Sequence, residues 1–309
     1  MNVLSLFDGI SCGQIALNRA GIKYDKYFAS EIDKHAIKVT QHNYPNTIQL
    51  GSVVNVKAEN LPKIGLILAG SPCQGFSTAG KGLNFEDTRS KLFFEFVRLL
   101  KECKPKYFLL ENVRMKKEWR DIISSNVGIE PILINSALVS AQNRERYYWT
   151  NIPNVQHPAD KGIKLKDIIQ QDYDGIWVWP RGTNPGGIQS YNGKSPSITT
   201  SSWQNNFLIY KSGALRTFPR YPTGQKREKR LEIRTDDKSN CCTTHSLDYL
   251  LTRPDGTYRQ FTPEEVEKLQ TLPVGYTSNL SKTNRYKAIG NGWTVDVIAH
   301  ILKNINQQS

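Results

Sequence analysis

The feature that most constrains the fold of this chain is the alternation of short apolar runs with helical patterns over its first half. Apolar runs cover residues 3–7, 24–30, 48–53, 64–69 and 107–110. Helical patterns lie between them, for example at residues 34–44 and 92–100. Strands that alternate with helices pair in parallel and are covered by helices on both faces. We therefore predict an α/β fold with a doubly wound, mostly parallel sheet.

Polar residues follow several of these strands, where open α/β sheets bind their ligands. Asp8 and Gly9 break the chain after the first run, and Glu31 ends the second, about twenty residues later. A glycine turn before a helix suits a nucleotide or adenosyl ligand, and an acidic residue at that distance suits ribose hydroxyls. The spacing is not Gly-x-Gly-x-x-Gly, so a dinucleotide is weakly indicated. A tight turn without a ligand remains the alternative.

Cys73 follows the run at 64–69, and Glu111 ends the run at 107–110. Pro72 fixes its own φ and restricts the residue before it, which holds the thiol on a stiff turn. Taken alone, Cys73 is equally well explained as a nucleophile or as a small packed side chain. The five cysteines are scattered, with no Cys-x-x-Cys pair, which favours a reducing compartment over a disulfide or zinc framework.

The charge of the chain indicates a polyanionic partner. Its formal net charge is +13 and its pI is about 9.4, a bias typical of nucleic-acid-binding proteins. No apolar segment approaches the ~18–20 residues needed to cross a bilayer, and the first residues do not form a signal peptide. We predict a soluble, cytoplasmic protein with no membrane partner.

Five motifs together resemble the cytosine-5 DNA methyltransferase family and follow its order along nearly the whole chain. Each is weak alone, but their joint occurrence makes accident very improbable. The first 155 residues are similar to the animal de novo methyltransferases, whereas the chain length is similar to bacterial or phage enzymes. The motifs are Phe7-Asp8-Gly9, Pro72-Cys73-Gln74, Glu111-Asn112-Val113, Gln142-Asn143-Arg144-Glu145-Arg146 and Gly290-Asn291-Gly292-Trp293-Thr294-Val295.

The resemblance implies a covalent methyl transfer to carbon 5 of a cytosine turned out of duplex DNA. It assigns the attack on carbon 6 to the thiolate of Cys73 and a hydrogen bond to ring nitrogen 3 to Glu111. Arg146 resembles the arginine that contacts the cytosine carbonyl oxygen. In an extended segment Gln142, Arg144 and Arg146 share one face, and we count both arginines as catalytic. A salt-bridged surface strand is the alternative for this triplet.

The resemblance also implies that the cofactor is S-adenosyl-L-methionine. The family often has an aspartate where Ser52 stands, so the adenine contact departs from its pattern. The predicted cofactor-binding residues come from the first strands, the Cys73 turn, the helix after it and the returning C-terminus: Phe7, Asp8, Gly9, Glu31, Ile32, Ser52, Val53, Pro72, Leu92, Asn291, Trp293 and Thr294.

Residues 156–283 are predicted to form a smaller, inserted target-recognition region, with residues 1–155 and 284–309 as the catalytic domain. Between Lys211 and Lys238 there are nine Lys or Arg against four Asp or Glu, which suits a phosphate backbone. Residues 194–200 and 238–244 have similar sequences, which indicates either two related elements or two similar turns.

The loop at 74–88 is predicted to close over DNA, and a flexible surface loop is the alternative. The predicted DNA contacts are Gln74, Ser77, Lys81, Arg89, Gln142, Thr199, Thr200, Arg220, Arg227, Arg234, Thr243 and Thr244.

The sequence thus predicts a DNA (cytosine-5-)-methyltransferase that acts on double-stranded DNA and needs no metal. A cognate restriction endonuclease is a possible partner in a restriction-modification system. One alternative is a related enzyme that acts on transfer RNA, although the Cys-Phe-Thr signature of those relatives is absent. The other is an inactive DNA-binding regulator, against which Cys73, Glu111 and Arg146 together argue.

Overall fold

The computed structural model of the protein describes residues 1–71, 88–170, 176–178, 187–189, 211–218, 228–234, 236, 238–244, 250–252 and 258–308. The helices in this part of the chain are α1 (Cys12–Arg19), α2 (Lys34–Asn43), α3 (Thr88–Cys103), α4 (Lys117–Val127), α5 (Pro263–Leu269), α6 (Lys282–Asn291) and α7 (Val295–Leu302). The strands are β1 (Asn2–Leu6), β2 (Tyr27–Ser30), β3 (Ile48–Gln49), β4 (Ile64–Gly70), β5 (Tyr107–Val113), β6 (Ile132–Asn135), β7 (Glu145–Thr150), β8 (Ile176–Val178), β9 (Gly187–Gln189), β10 (Lys211–Phe218), β11 (Glu228–Ile233), β12 (Leu250–Thr252) and β13 (Tyr258–Gln260).

Seven strands form the main sheet in the order β3-β2-β1-β4-β5-β7-β6. β7 runs antiparallel to both of its neighbours, and the other pairings are parallel. The mostly parallel, doubly wound sheet predicted from the sequence is therefore confirmed. The strand order reverses between β1 and β4, which opens a crevice beyond the carboxyl ends of these two strands.

β2 begins three residues later than predicted, and two other strands differ from their predicted ranges for a visible reason. β3 is only two residues long, because the chain turns into a short 3₁₀ helix at Val53–Asn55. β5 continues to Val113, so Glu111 lies within the strand rather than after it. The antiparallel neighbour β7 causes this extension, since it pairs Glu111 with Tyr148 and Val113 with Arg146.

The central strands are apolar throughout because both faces of the sheet are covered. In β1, Val3 packs in the core cluster that contains α1 and α7, whereas Leu4 packs in the cluster that contains α3. Leu66 and Ile67 of β4 divide between the same two clusters. A strand buried on both sides has no polar alternation, which explains the continuous apolar runs.

The C-terminal residues return to the first strand–helix unit, as the resemblance implies. Helix α7 packs against α1, and Val297, Ile298 and Ile301 are fully buried. Helix α5 begins with a capping box: Thr262 Oγ1 accepts from Glu265 N at 3.2 Å, and Glu265 Oε2 accepts from Thr262 N at 2.7 Å.

The predicted recognition region contains a four-stranded antiparallel sheet, β11-β10-β12-β13, and the separate pair β8–β9. Helix α5, which precedes the predicted boundary at residue 283, packs Val266 and Leu269 in the same core cluster as α7. The core is therefore continuous across that boundary, and the division into domains stays a prediction. In the described residues no helix is both long and apolar enough to cross a bilayer.

Candidate active site

A cleft of about 300 Å³ lies beyond the carboxyl ends of the central strands. Phe7 and Gly9 line it after β1, Glu31 after β2, and Ser71 after β4. Side chains from β5 and β7 and the start of the returning C-terminus complete the lining. The structure thus brings together most of the predicted cofactor turn and the predicted catalytic acid.

The turn after β1 has an unusual backbone that Glu31 stabilises. Phe7, Gly9 and Ser11 have φ angles of 57°, 59° and 56°, and a left-handed non-glycine residue costs of order 1–3 kcal/mol. Glu31 Oε2 accepts from Gly9 N at 2.8 Å, and its Oε1 accepts from the N–H groups of Ile32 and Asp33 at 2.7 and 2.8 Å. About four acceptor positions exist on a carboxylate, so Glu31 holds the turn and retains acceptor capacity for a ligand.

Asp8 is a buried acid beneath this turn. Its carboxylate accepts hydrogen bonds from the hydroxyls of Ser11 and Tyr27, the latter at 2.8 Å. Burial raises the pKa of Asp8 to about 6, although the hydroxyl donors oppose the rise and nearby Glu31 adds to it. Near neutral pH the Asp8 carboxylate is therefore ionised, although its burial disfavours the charged form.

Replacing this acid is expected to stabilise the protein at neutral pH. Between about pH 4 and 6 the folded protein keeps the Asp8 proton and the unfolded chain loses it, so rising pH lowers the free energy of unfolding. Above this window the cost is at most roughly 3 kcal/mol. Asp8→Asn should match wild type near pH 4 and exceed it at pH 7.5, measured by denaturant unfolding at both pH values.

The exposed Asp25 offers the control for this measurement. Asp25→Asn is expected to give no comparable gain at pH 7.5. An Asp8→Asn gain of equal size at both pH values would contradict the proposed ionisation of Asp8.

Glu111 and Arg146 form an ion pair at the side of the cleft formed by β5 and β7. Arg146 Nε lies 3.0 Å from Glu111 Oε1, and Arg146 Nη1 donates to the carbonyl oxygen of Glu145 at 2.8 Å. Both side chains are largely buried and both line the cleft. An acid and a cation held this way can act together on one polar substrate group.

Arg144, predicted to be catalytic, is engaged by backbone instead. Its guanidinium donates to the carbonyl oxygens of Cys242 at 2.9 Å, Gly292 at 3.1 Å and Gly290 at 3.5 Å. The Arg144 side chain is buried. Arg146 belongs to β7, whereas Arg144 lies just before that strand. Arg144 therefore ties residues 241–242 to residues 290–292, a positioning function that the prediction did not include.

Gln142, which was predicted to contact DNA, has a side chain that is 0% exposed, and the DNA contact stays a prediction. Gln142 Nε2 donates to Leu269 O at 3.0 Å and to Gln270 Oε1 at 3.1 Å, and its Oε1 accepts from Cys242 N at 2.8 Å. Gln142 therefore joins the segment before β7 to α5 and to residue 242.

Residues 291–294 close the cleft opposite β5. Asn291 and Trp293 line it, and a Cβ on Gly70 would lie 2.7 Å from Trp293 Nε1, so the indole requires glycine there. The predicted cofactor contact of Thr294 is not supported: its hydroxyl is buried, donates to Gln270 Oε1 at 2.8 Å and accepts from Ser136 Oγ at 2.9 Å.

The remaining predicted cofactor residues have different environments. Ile32 is 76% exposed beside Glu31, which leaves its side chain open to a ligand. Val53 packs in the core, so a contact through its side chain is not supported. Ser52 and the partly buried Leu92 stay predictions.

Several predicted residues lie outside the described part of the chain: Pro72, Cys73, Gln74, Ser77, Lys81, Thr199, Thr200, Arg220 and Arg227. The predicted loop at 74–88 lies there also, apart from Thr88. Arg89 belongs to the first turn of α3.

The described residues of the predicted DNA surface lie close to the cleft or on the antiparallel sheet. Arg234 pairs with Asp236 at 2.5 Å, and Thr244 is exposed. A Cβ on Gly290 would clash with the carbonyl oxygen of Thr243, so the segment 238–244 packs against a residue that lines the cleft. In the pairing of β10 with β11, Arg216 stands opposite Arg230 in the strand register.

Two site residues were missed in the sequence. Asn112 Nδ2 donates to Ser71 Oγ at 2.8 Å, and so anchors the chain two residues before Cys73. Asn112 belongs to the motif Glu111-Asn112-Val113, so the sequence did offer a reason to include it. Cys241 contacts both Arg144 and Arg146, and no local pattern indicates this, because the arginines lie more than ninety residues earlier.

The chain is similar to several known proteins. A family model described as C-5 cytosine-specific DNA methylase matches residues 1–307. The orphan methyltransferase M.SPRI of Bacillus phage SPR is 39% identical over 189 residues, which are 55% of this chain and 43% of that protein. The chain therefore spans less than half the length of that phage relative.

Other relatives cover the chain more fully. The type II methyltransferase M1.ScrFI of Lactococcus lactis subsp. cremoris is 28% identical over an alignment that covers 96% of this chain and 75% of that protein. The crystal structure of a DNA modification methyltransferase encoded within an E. coli prophage has a TM-score of 0.64 at 24% identity and covers 99% of both chains. This last likeness establishes the fold.

Proposed function

The chain belongs to the C-5 cytosine-specific DNA methylase family, and we propose that it transfers a methyl group from S-adenosyl-L-methionine to carbon 5 of a cytosine in double-stranded DNA. The observation that carries this proposal is the ion pair of Glu111 and Arg146, 3.0 Å apart in the cleft beyond β4. Cys73 follows the end of β4 by three residues.

The residues of the cleft fit an adenosyl cofactor. The positive φ of Gly9 keeps that turn free of a side chain where backbone approaches a ligand. Glu31 retains acceptor capacity for ribose hydroxyls, and the exposed Ile32 beside it offers an apolar surface for a base. Phe7, Asn291 and Trp293 complete the proposed cofactor site. The cofactor, when bound, supplies an electrophilic methyl group.

The chain's own residues make the cytosine reactive. Carbon 5 is a poor nucleophile until another group adds to carbon 6, and we assign that addition to the Cys73 thiolate. The new sulfur–carbon bond pushes an electron pair towards ring nitrogen 3, where a proton shared with Glu111 neutralises the developing charge and is given back when the adduct resolves. Arg146 donates to the carbonyl oxygen and stabilises the charge that develops there.

The adduct then resolves without a further reactant. After carbon 5 has gained the methyl group, a base removes its proton. The electron pair of that carbon–hydrogen bond restores the ring double bond, and the sulfur–carbon bond breaks, which frees Cys73. Because the target carbon is stacked inside a duplex, the cytosine must be turned out first, at a cost of a few kcal/mol.

Duplex DNA is favoured over transfer RNA by the type II relatives and by the absence of the Cys-Phe-Thr signature from the sequence. The net charge of +13 suits a phosphate backbone. A type II relative also makes a cognate restriction endonuclease a candidate partner. Binding through several phosphates should weaken steeply as salt is raised.

Radiolabelled methyl transfer tests this proposal. Wild-type protein is expected to label unmethylated duplex DNA and not transfer RNA, and the labelling should fall between 50 and 300 mM salt. Bisulfite sequencing of the product would then locate the methylated cytosines. Label in RNA alone would favour the transfer RNA enzyme, and label in neither, with DNA still bound, would favour a regulator.

A further inference from the structure

The thiol of Cys241 lies between the two arginines of the active site. Its sulfur lies 3.4 Å from Arg144 Nη1 and 3.8 Å from Arg146 Nη2. Cys241 belongs to the segment 238–244, which follows β11 within the predicted recognition region. A residue of that region therefore contacts the same guanidinium that pairs with Glu111.

Contacts lie along the whole Arg146 guanidinium. Nε contacts Glu111 Oε1, Nη1 donates to the carbonyl oxygen of Glu145, and Nη2 contacts the Cys241 sulfur. Arginine presents its donors in a rigid, planar fork. Removing the sulfur partner of Nη2 therefore loosens the orientation of the whole fork, including the Nε–H that faces Glu111.

The electrostatic surroundings of Cys241 differ from those of its neighbour. Burial raises the pKa of the Cys241 thiol, but the charges and hydrogen bonds of Arg144 and Arg146 outweigh burial and lower the pKa below its usual value. The adjacent Cys242 is fully buried, and burial raises its pKa. Two consecutive thiols thus have opposite environments.

We propose that Cys241 is a positioning residue that holds Arg146 against Glu111 and thereby couples the target-recognition region to the reacting base. The inference rests on the proposed function, because Arg146 and Glu111 act there on the cytosine. Other ionisable groups around the thiol act through the same arginines: the Glu111 carboxylate pairs with Arg146, and the Tyr148 hydroxyl lies near both arginines.

Thiol labelling tests the contact independently of catalysis. Full-length Cys242→Ala protein, in which Cys241 has no neighbouring thiol at position 242, is treated with iodoacetamide over a pH series. Mass spectrometry then measures the modification of each cysteine. Cys103 serves as the reference, since it is also partly buried but its pKa is raised, chiefly by burial. We expect Cys241 to react at lower pH than Cys103.

The same labelling in Arg146→Met should move the Cys241 profile to higher pH and leave the Cys103 profile in place. If the Cys241 profile does not move, the contact is not an energetic coupling and the proposal is overturned.

Single-turnover kinetics then test the positioning function. Cys241→Ala is expected to reduce the methyl-transfer rate about tenfold, a size typical of groups that orient a reacting residue. The KM for DNA and the Kd for S-adenosyl-L-methionine should stay within about twofold. Cys241→Ser, which retains a polar acceptor, should recover most of the rate, and Cys242→Ala should keep wild-type rate.

Equal rates for Cys241→Ala and Cys242→Ala would overturn the proposal. A changed KM without a changed rate would do the same, because it would indicate DNA binding rather than positioning. Absence of methyl transfer by wild type would instead count against the proposed function, and the labelling result would remain a separate measurement of the Cys241–Arg146 contact.

Discussion

Cys73→Ala is expected to abolish methyl transfer to DNA, with a loss of at least about 10⁴-fold, because removing the nucleophile removes the covalent route altogether. Binding of S-adenosyl-L-methionine should be retained, since Phe7, Gly9 and Glu31 lie at the ends of β1 and β2 and not on the Cys73 turn. Radiolabelled transfer and calorimetric titration of the cofactor measure the two quantities on the same preparation.

Covalent trapping identifies the attacking atom directly. Duplex DNA that carries 5-fluorocytosine cannot lose its carbon-5 substituent, so wild-type protein and cofactor should give an adduct that survives denaturation. Cys73→Ala should give none, and Cys103→Ala, which alters a thiol at the end of α3, should trap like wild type. An adduct of equal yield with Cys73→Ala would assign the nucleophile to another residue.

The main sheet was predictable because its signals are local. Val3 and Leu4 are adjacent and both apolar, and only a strand covered on both faces needs such a pair. The same holds for the cap of α5, where Thr262 and Glu265 satisfy one another within a single turn. Glu31 was placed beside the Gly9 turn because adjacent parallel strands align their carboxyl ends.

The environments of Gln142 and Arg144 were not predictable, because distant residues determine them. Even residues of an extended segment share one face, but spacing does not indicate what covers that face. The partners of Gln142 lie in and just after α5 and at residue 242, and those of Arg144 lie at residues 242, 290 and 292. For the same reason Cys241, a plain cysteine in a polar segment, gave no signal of its contact with the active-site arginines.

The two arginines of the active site should therefore respond oppositely to the same substitution. Arg144→Met removes the only charged partner described for the carbonyls of Gly290, Gly292 and Cys242, and the buried acceptors are left without it. Hydrogen bonds to a charged group contribute roughly 1.5–3 kcal/mol each, and because they share one side chain we expect a loss of about 3–5 kcal/mol in the free energy of unfolding.

Arg146→Met should cost less of that free energy, about 1–2 kcal/mol, because the Glu111 carboxylate that loses its partner lines the cleft, where water can reach it. It should reduce the rate of methyl transfer by about 10²–10³-fold, because a donor aimed at the developing charge is removed. Denaturant unfolding of both variants measures stability. Single-turnover kinetics, run at a temperature at which Arg144→Met is still folded, measure the chemical step. Arg144→Met could instead keep wild-type stability and reduce the rate as Arg146→Met does. In that case Arg144 would act on the substrate, and its hydrogen bonds to residues 242, 290 and 292 would not stabilise the fold.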